Sequence, residues 1–315
     1  MKKLIIFMMI LMLLLSGCSK ETVSGADSDR ISIVTTVFPL YDFARAVAAD
    51  KADISMLIKP GAEVHTFDPS PADIIAIQNA DIFLYIGGEG DAWVETILSS
   101  MEDSDVKAIK MMDYVETVCH DHEGEHKDHG HEHEHEHSHD IDEHIWTSLE
   151  NAKLMIAAVS DAAGAADNSN AEYYNENAEN YNLQIDNIIA EITDIVEESK
   201  TKKLIIADRF PFLYFTDEFG LEYISAFDAC GSESEASAGV LADLIDEIED
   251  IGAPYIFYAE LSNKNIADII EEQTGAESLE LHSCHNVTRD DFENGETYVS
   301  IWQRNIEVLR KGLIY

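Results

Sequence analysis

Ten of the chain's 13 histidines fall between His120 and His144, interleaved with ten acids and a single base, Lys127. Imidazole nitrogen suits zinc, and a mixed nitrogen and oxygen donor set also accommodates manganese. The core of the run, His129 to His139, has no apolar side chain to pack, so no fixed structure is expected there without metal. Its alternating donors, His120, His122, His126, His129, His131, His133, His135, His137 and His139, would form many weak, exchanging sites that concentrate a cation. Near pH 6 these imidazoles protonate, and capture would weaken. The plainer reading is a solvated spacer whose histidine content is incidental.

Three histidines stand apart from this low-complexity stretch or at its edge. His65 lies in Gly61-Ala62-Glu63-Val64-His65-Thr66-Phe67-Asp68-Pro69-Ser70, after a strand-like run and before a helix start. His144 lies in Asp142-Glu143-His144-Ile145-Trp146, where the chain returns to ordered composition. His282 follows the strand-like Glu277 to Leu281 and precedes Ser283-Cys284-His285. Ligands in open α/β sheets bind beyond the carboxyl ends of strands, where such loops lie. Three histidines at strand exits, in two halves of an anionic chain, point to a metal site.

Charge narrows the partners. The chain has 315 residues, 62 Asp and Glu against 20 Lys and Arg, and a formal net charge of −42. Nucleic acid is excluded as a partner, because phosphate contact needs a basic face. The 46% hydrophobic content excludes a disordered acidic tail. The His-rich run supplies only ten of the acids, so most of the charge lies on the rest of the chain.

Regular elements surround these groups. Lys2 and Lys3 precede a twelve-residue apolar run, Leu4 to Leu15, too short to span a bilayer but suited to an export signal. Leu15-Ser16-Gly17-Cys18 resembles a bacterial lipobox, so residues 1–17 are expected to be removed and Cys18 lipidated. Residues 18–29 would then be a polar tether to the outer face of a membrane. Ile31 to Val37, Ile54 to Ile58, Ile82 to Ile86 and Val106 to Met111 read as strands, alternating with helical faces. Ser70-Pro71-Ala72-Asp73 has the form of a capped helix start. Leu204 to Ala207, Tyr223 to Phe227 and Tyr255 to Ala259 repeat the scheme, with helices through Leu241, Leu244 and Ile248 and through Ile266, Ile269 and Ile270. Such alternation predicts parallel sheets covered on both faces.

Between the halves, Tyr174, Ala178, Tyr181, Ile185, Ile188, Ile192 and Ile195 step by fours and threes, with Ser169 to Glu172 at capping-box spacing. A long helix packed along both lobes of a monomer is expected, rather than a coiled-coil dimer. The divisions are thus an α/β lobe over 30–168 carrying the His and acid loop at 120–143, a connecting helix over 169–200, and a second α/β lobe over 201–315. Cys119, Cys230 and Cys284 are an odd number for an oxidising compartment. Three pairings are open, and Cys230–Cys284 is favoured because both fall in the second lobe.

Taken together, these features resemble the zinc and manganese solute-binding lipoproteins of bacterial ABC importers, over nearly the whole chain. The likeness rests on the lipobox, on Phe38-Pro39 after the first strand, and on Pro60-Gly61 leading to His65 and Asp68-Pro69. It continues through the acidic His loop, Asp142-Glu143-His144-Ile145-Trp146, the long helix, Phe219-Gly220-Leu221 and Gly295-Glu296-Thr297-Tyr298. The resemblance implies two α/β lobes joined by one long rigid helix, with one metal ion in the inter-lobe cleft. It also implies delivery to a membrane permease and its ATPase, both separate chains. His65 and His144 would be the first lobe's ligands.

The second lobe departs from the pattern. Counting back from Phe219-Gly220 puts Arg209 at the third ligand position, and a guanidinium cannot bind metal. Asp208 is the nearest replacement, unless it forms an ion pair with Arg209. His282 would stand at the fourth position, where the family has Asp. Three His and one carboxylate suit tetrahedral zinc better than manganese. Other readings of the same residues are a metal-storage or adhesin lipoprotein, and a zinc hydrolase with Glu63 as base, for which no Gly-x-Ser-x-Gly or oxyanion site offers support.

Overall fold

A computed structural model describes residues 30–101, 104–119, 141–228 and 236–315. The export signal, Cys18, Cys230 and the nine loop histidines from His120 to His139 lie outside the described residues. Two four-stranded, wholly parallel sheets form the centres of two lobes. The first has the order β2-β1-β3-β4, from β1 (Ile31–Thr35), β2 (Ala52–Met56), β3 (Ile82–Tyr85) and β4 (Lys107–Lys110). The second repeats that order as β6-β5-β7-β8, from β5 (Lys203–Phe210), β6 (Glu222–Asp228), β7 (Tyr255–Tyr258) and β8 (Glu277–Glu280). In each sheet the chain order reverses beside the first strand, and ligand-binding crevices form at such switch points.

Helices cover both faces because parallel strands are joined by crossovers. The first lobe has α1 (Phe38–Ala48), α2 (Pro71–Gln78), α3 (Ala92–Ser100) and α4 (Leu149–Ala166). The connection is α5 (Ala171–Glu198), 28 residues long, which buries Tyr174, Ala178, Tyr181, Ile185, Ile188, Ile192 and Ile195. The second lobe has α6 (Leu213–Phe219), α7 (Ala238–Ile251), α8 (Asn265–Thr274), α9 (Arg289–Glu293) and α10 (Tyr298–Ile314).

The start of α5 differs from the expected Ser169–Glu172 box. Its N-cap residue, Asn170, makes no side-chain cap bond. Asp167 does the gathering instead, accepting from Ser169 N, Ser169 Oγ, Asn170 Nδ2 and Tyr174 OH. These bonds hold its carboxyl down at about 2. Ser70, by contrast, caps α2 in both directions: Oγ accepts from Asp73 N, and Asp73 Oδ2 accepts from Ser70 N.

One apolar core runs through the middle of the molecule, from Ile33 and Phe43 in the first lobe through Ile185 and Ile192 of α5 to Leu204, Phe215 and Trp302 in the second. Smaller cores lie under the outer helices of each lobe. Among the described residues no helix is long and apolar enough to cross a membrane.

Candidate metal centre

Three imidazoles meet between the lobes: the ligand atoms of His65, His144 and His285 lie within 4.8 Å of one another. They come from three loops, each held by its own contacts. The His65 loop follows β2 and turns at Gly61, whose φ of +76° favours glycine. Gly61 N donates to Val287 O at 2.8 Å, and Asn286 Nδ2 donates to Lys59 O and Ala62 O. The first-lobe loop is thus bonded directly to the second-lobe loop that carries His285.

His65 and His144 each have a carboxylate at Nδ1. Glu143 Oε1 is 3.3 Å from His65 Nδ1, and Asp142 Oδ1 is 3.1 Å from His144 Nδ1. A carboxylate at one ring nitrogen fixes tautomer and orientation and leaves Nε2 to bind a metal. Glu143 is itself seated against Gly88 and Gly90. Gly90 N donates to its Oε2 at 2.7 Å, and a Cβ on Gly88 would fall 2.2 Å from Glu143 Cβ. Asp142 Oδ1 also accepts His144 N at 2.7 Å.

Electrostatics separate the three histidines. Burial works against protonation of His144, but Asp142, with Glu143 and Glu260 behind it, outweighs it and the pKa is raised. His285 is pushed well below the usual histidine range, by burial first and then by the neighbouring His144 and His65. Burial opposes ionisation of Glu143, yet the His65 hydrogen bond, the His144 charge and the Gly90 N–H bring its pKa below the ordinary value. The rings pack closely, with His285 centroids 5.1 Å from His65, 5.0 Å from His144 and 4.7 Å from Trp146.

Of the residues singled out in the sequence, His65 and His144 come together and His282 does not join them. His282 is buried and turned inward. Its Nδ1 accepts Cys284 N at 3.0 Å, while Asn305 accepts from its N–H and donates to its carbonyl. The imidazole that reaches the cleft is His285, three residues on. Cys284 sits between them at φ +66°, a left-handed turn that redirects the chain. Two histidines this close in a loop cannot be ranked by spacing, and no periodicity marks the turn.

Asp208 lines the same cleft without belonging to the triad. Its Oδ1 accepts the backbone N–H of Arg209 at 2.8 Å, and burial raises its pKa. The Arg209 guanidinium lies 3.8 Å from Glu63 Oε1 in the other lobe. Cys284, expected to pair with Cys230, is a free thiol with no exposed surface. Burial, with Glu260 second, pushes its pKa well up. It is a packing group of the core, sealed from solvent under the His282–His285 turn.

The cleft has a volume of about 400 Å³, bounded by Glu63, His65 and His144 on one side and Asp208, Arg209 and Glu260 on the other. Three nitrogen donors with two carboxylate-held rings fit a borderline divalent ion such as zinc.

A family model described as "ZnuA: Zinc-uptake complex component A periplasmic" matches residues 33–312. The chain is 29% identical over 308 residues to the high-affinity zinc uptake system protein ZnuA of Bacillus subtilis, covering 96% of this chain and 94% of that one. It is 28% identical over 309 residues to the zinc-binding lipoprotein AdcA of Streptococcus pneumoniae, covering 95% of this chain but only 58% of that longer protein. The crystal structure of the Zn(II)-bound ZnuA-like domain of Streptococcus pneumoniae AdcA has the same fold, with a TM-score of 0.75 at 24% identity. That match covers 91% of this chain and all of that domain.

Proposed function

The chain belongs to the ZnuA family of zinc-uptake complex components, and from that membership and its own cleft we infer that it captures zinc for import. The convergence of His65, His144 and His285 from two lobes carries this reading. A Zn²⁺ ion takes imidazole nitrogen readily and is commonly four-coordinate, so three protein donors leave one place for water or for Asp208. Manganese prefers more oxygen donors, and a site built on three imidazoles disfavours it.

The chain's own residues bind and orient; no step of bond chemistry is required of them. Glu143 and Asp142 hold two rings in register, and Trp146 backs the third. Cargo would pass to a permease whose ATPase is a separate chain, through docking that favours a weaker-binding form. The working place would be outside the cytoplasm, with lipid on Cys18 as the anchor. The His-rich loop would raise the local zinc concentration without being the tight site, and no enzymatic turnover is assigned.

The test is titration of zinc and of manganese into protein lacking residues 121–139, alone and with His65→Ala, His144→Ala or His285→Ala. One tight zinc site that survives the deletion and disappears in each single variant is expected. Loss of tight binding on loop deletion alone would favour a storage role instead. Equal or tighter manganese binding would reassign the cargo.

A further inference from the structure

Glu260 follows β7 at the floor of the cleft, with its side chain only 7% exposed. Both of its oxygens are used. Oε2 accepts Ser283 N at 2.7 Å, while Oε1 accepts Ser283 Oγ at 2.6 Å and His285 N at 3.0 Å. His282 Nδ1 is 3.7 Å from Oε1, beyond hydrogen-bond reach. Among the described residues no lysine or arginine pairs with this carboxylate. A buried acid without a cationic partner is costly, and the donors it accepts offset that cost. An apolar residue could not accept three donors from one turn.

That turn is the one that delivers His285. Cys284 holds a left-handed conformation that is unfavourable for a residue with a Cβ, and its thiol is pinned in the core. Trp146 Nε1 donates to Ser283 O at 2.8 Å, tying the turn to the segment that carries His144. Glu260 closes the remaining side. We propose that Glu260 is a positioning residue for the metal cleft: by gathering Ser283 and the His285 N–H it sets the His285 imidazole against His65 and His144. This rests on the reading of those three histidines as zinc ligands.

Glutamine at this position offers one acceptor oxygen and would keep part of the arrangement; alanine would keep none. Glu260→Ala should weaken zinc binding about 10- to 100-fold, the range for residues that orient ligands, with Glu260→Gln between it and wild type. The decisive measurement is a double-mutant cycle with His285→Ala, read by zinc affinity and by the visible spectrum of the Co²⁺-loaded protein. If Glu260 acts through His285, Glu260→Ala with His285→Ala binds zinc no more weakly than His285→Ala alone. The Co²⁺ bands of Glu260→Ala then shift toward those of His285→Ala. A general structural role would instead multiply the two losses and leave the Co²⁺ bands of Glu260→Ala like those of wild type.

Affinity of folded Glu260→Ala within about threefold of wild type would overturn the inference, as would multiplied losses. Should Glu260→Ala fail to fold by circular dichroism, Glu260→Gln replaces it in the same cycle, and the same outcomes decide. If His285→Ala binds zinc as wild type does, the ligand assignment falls and takes this inference with it. If His285→Ala weakens binding and neither Glu260 variant does, only this inference falls.

Discussion

At the scale of single residues, the site is a set of rings whose protonation differs sharply. Zinc and a proton compete for the same nitrogen, so affinity falls once pH drops below the pKa of a ligand histidine. His144, raised by Asp142, is protonated at a higher pH than an ordinary histidine, whereas His285, depressed by burial, stays neutral. Zinc affinity should therefore begin to fall above the usual histidine pKa of about 6.5, by about tenfold per pH unit from His144. His285 adds nothing in that window. Asp142→Asn removes the carboxylate and should move the onset to lower pH. Competition titrations between pH 5.5 and pH 8 check this, and an onset unmoved by Asp142→Asn would count against it. His65 and His144 were legible in sequence because each adjoins a recognisable element or motif. His285 was not, because its selection over His282 depends on the turn at Cys284 and on the Glu260 contacts, which come from residues 23 to 25 positions away.

At the scale of elements, the strands were the most legible part of the fold. All eight occur close to where they were expected; the central strands β1, β3, β5 and β7, buried on both faces, leave a continuous apolar signature, whereas edge strands such as β2 and β8 are half exposed. Helix starts were less so: Ser70 caps as its spacing implies, whereas at α5 the work passes to Asp167, two residues before the expected Ser169. The segment after β3 shows how an element can serve the site from below. Asp91 Oδ2 accepts Ile86 N and Gly87 N, closing the loop whose Gly88 and Gly90 seat Glu143. Burial raises the Asp91 pKa to about 6, against the backbone N–H bonds that oppose it. The folded state then holds this proton more tightly than the unfolded state does, so stability from Asp91 falls as pH rises from about 4 to about 6. The loss is on the order of 2–3 kcal/mol at neutral pH. Asp91→Asn keeps an acceptor and removes the charge. Urea midpoints should show the variant as stable as wild type or more so at pH 7.5, with the difference shrinking toward pH 4. Parallel pH profiles would contradict this assignment.

At the scale of the whole molecule, two lobes with separate sheets share one core, and a buried junction locks them together. Asp42 on α1 accepts from the Arg45 guanidinium, from Tyr181 OH on α5 at 2.5 Å, and from Tyr298 N at the start of α10 at 2.7 Å. First lobe, connecting helix and second lobe therefore meet at a single carboxylate that is only 1% exposed. The heptad-like run of α5 foretold the packed helix. The junction itself was invisible, since Asp42, Tyr181 and Tyr298 are linked by neither spacing nor motif. Because the core is continuous across the lobes, unfolding of one lobe would expose apolar surface of the other. We expect one cooperative transition in urea, coincident by circular dichroism and by tryptophan fluorescence, which samples Trp93 in the first lobe and Trp302 in the second. Asp42→Ala leaves Tyr181 OH and Tyr298 N without their acceptor and a partly buried Arg45 with only the Glu296 carbonyl, and should cost roughly 3–5 kcal/mol. If the lobes are cooperative only through this junction, Asp42→Ala will split the transition in two. If the shared apolar core couples them, as the placing of Ile185, Ile188 and Ile192 in one cluster with residues of both lobes implies, the transition shifts to lower urea and stays single. A biphasic wild-type curve would refute a continuous core.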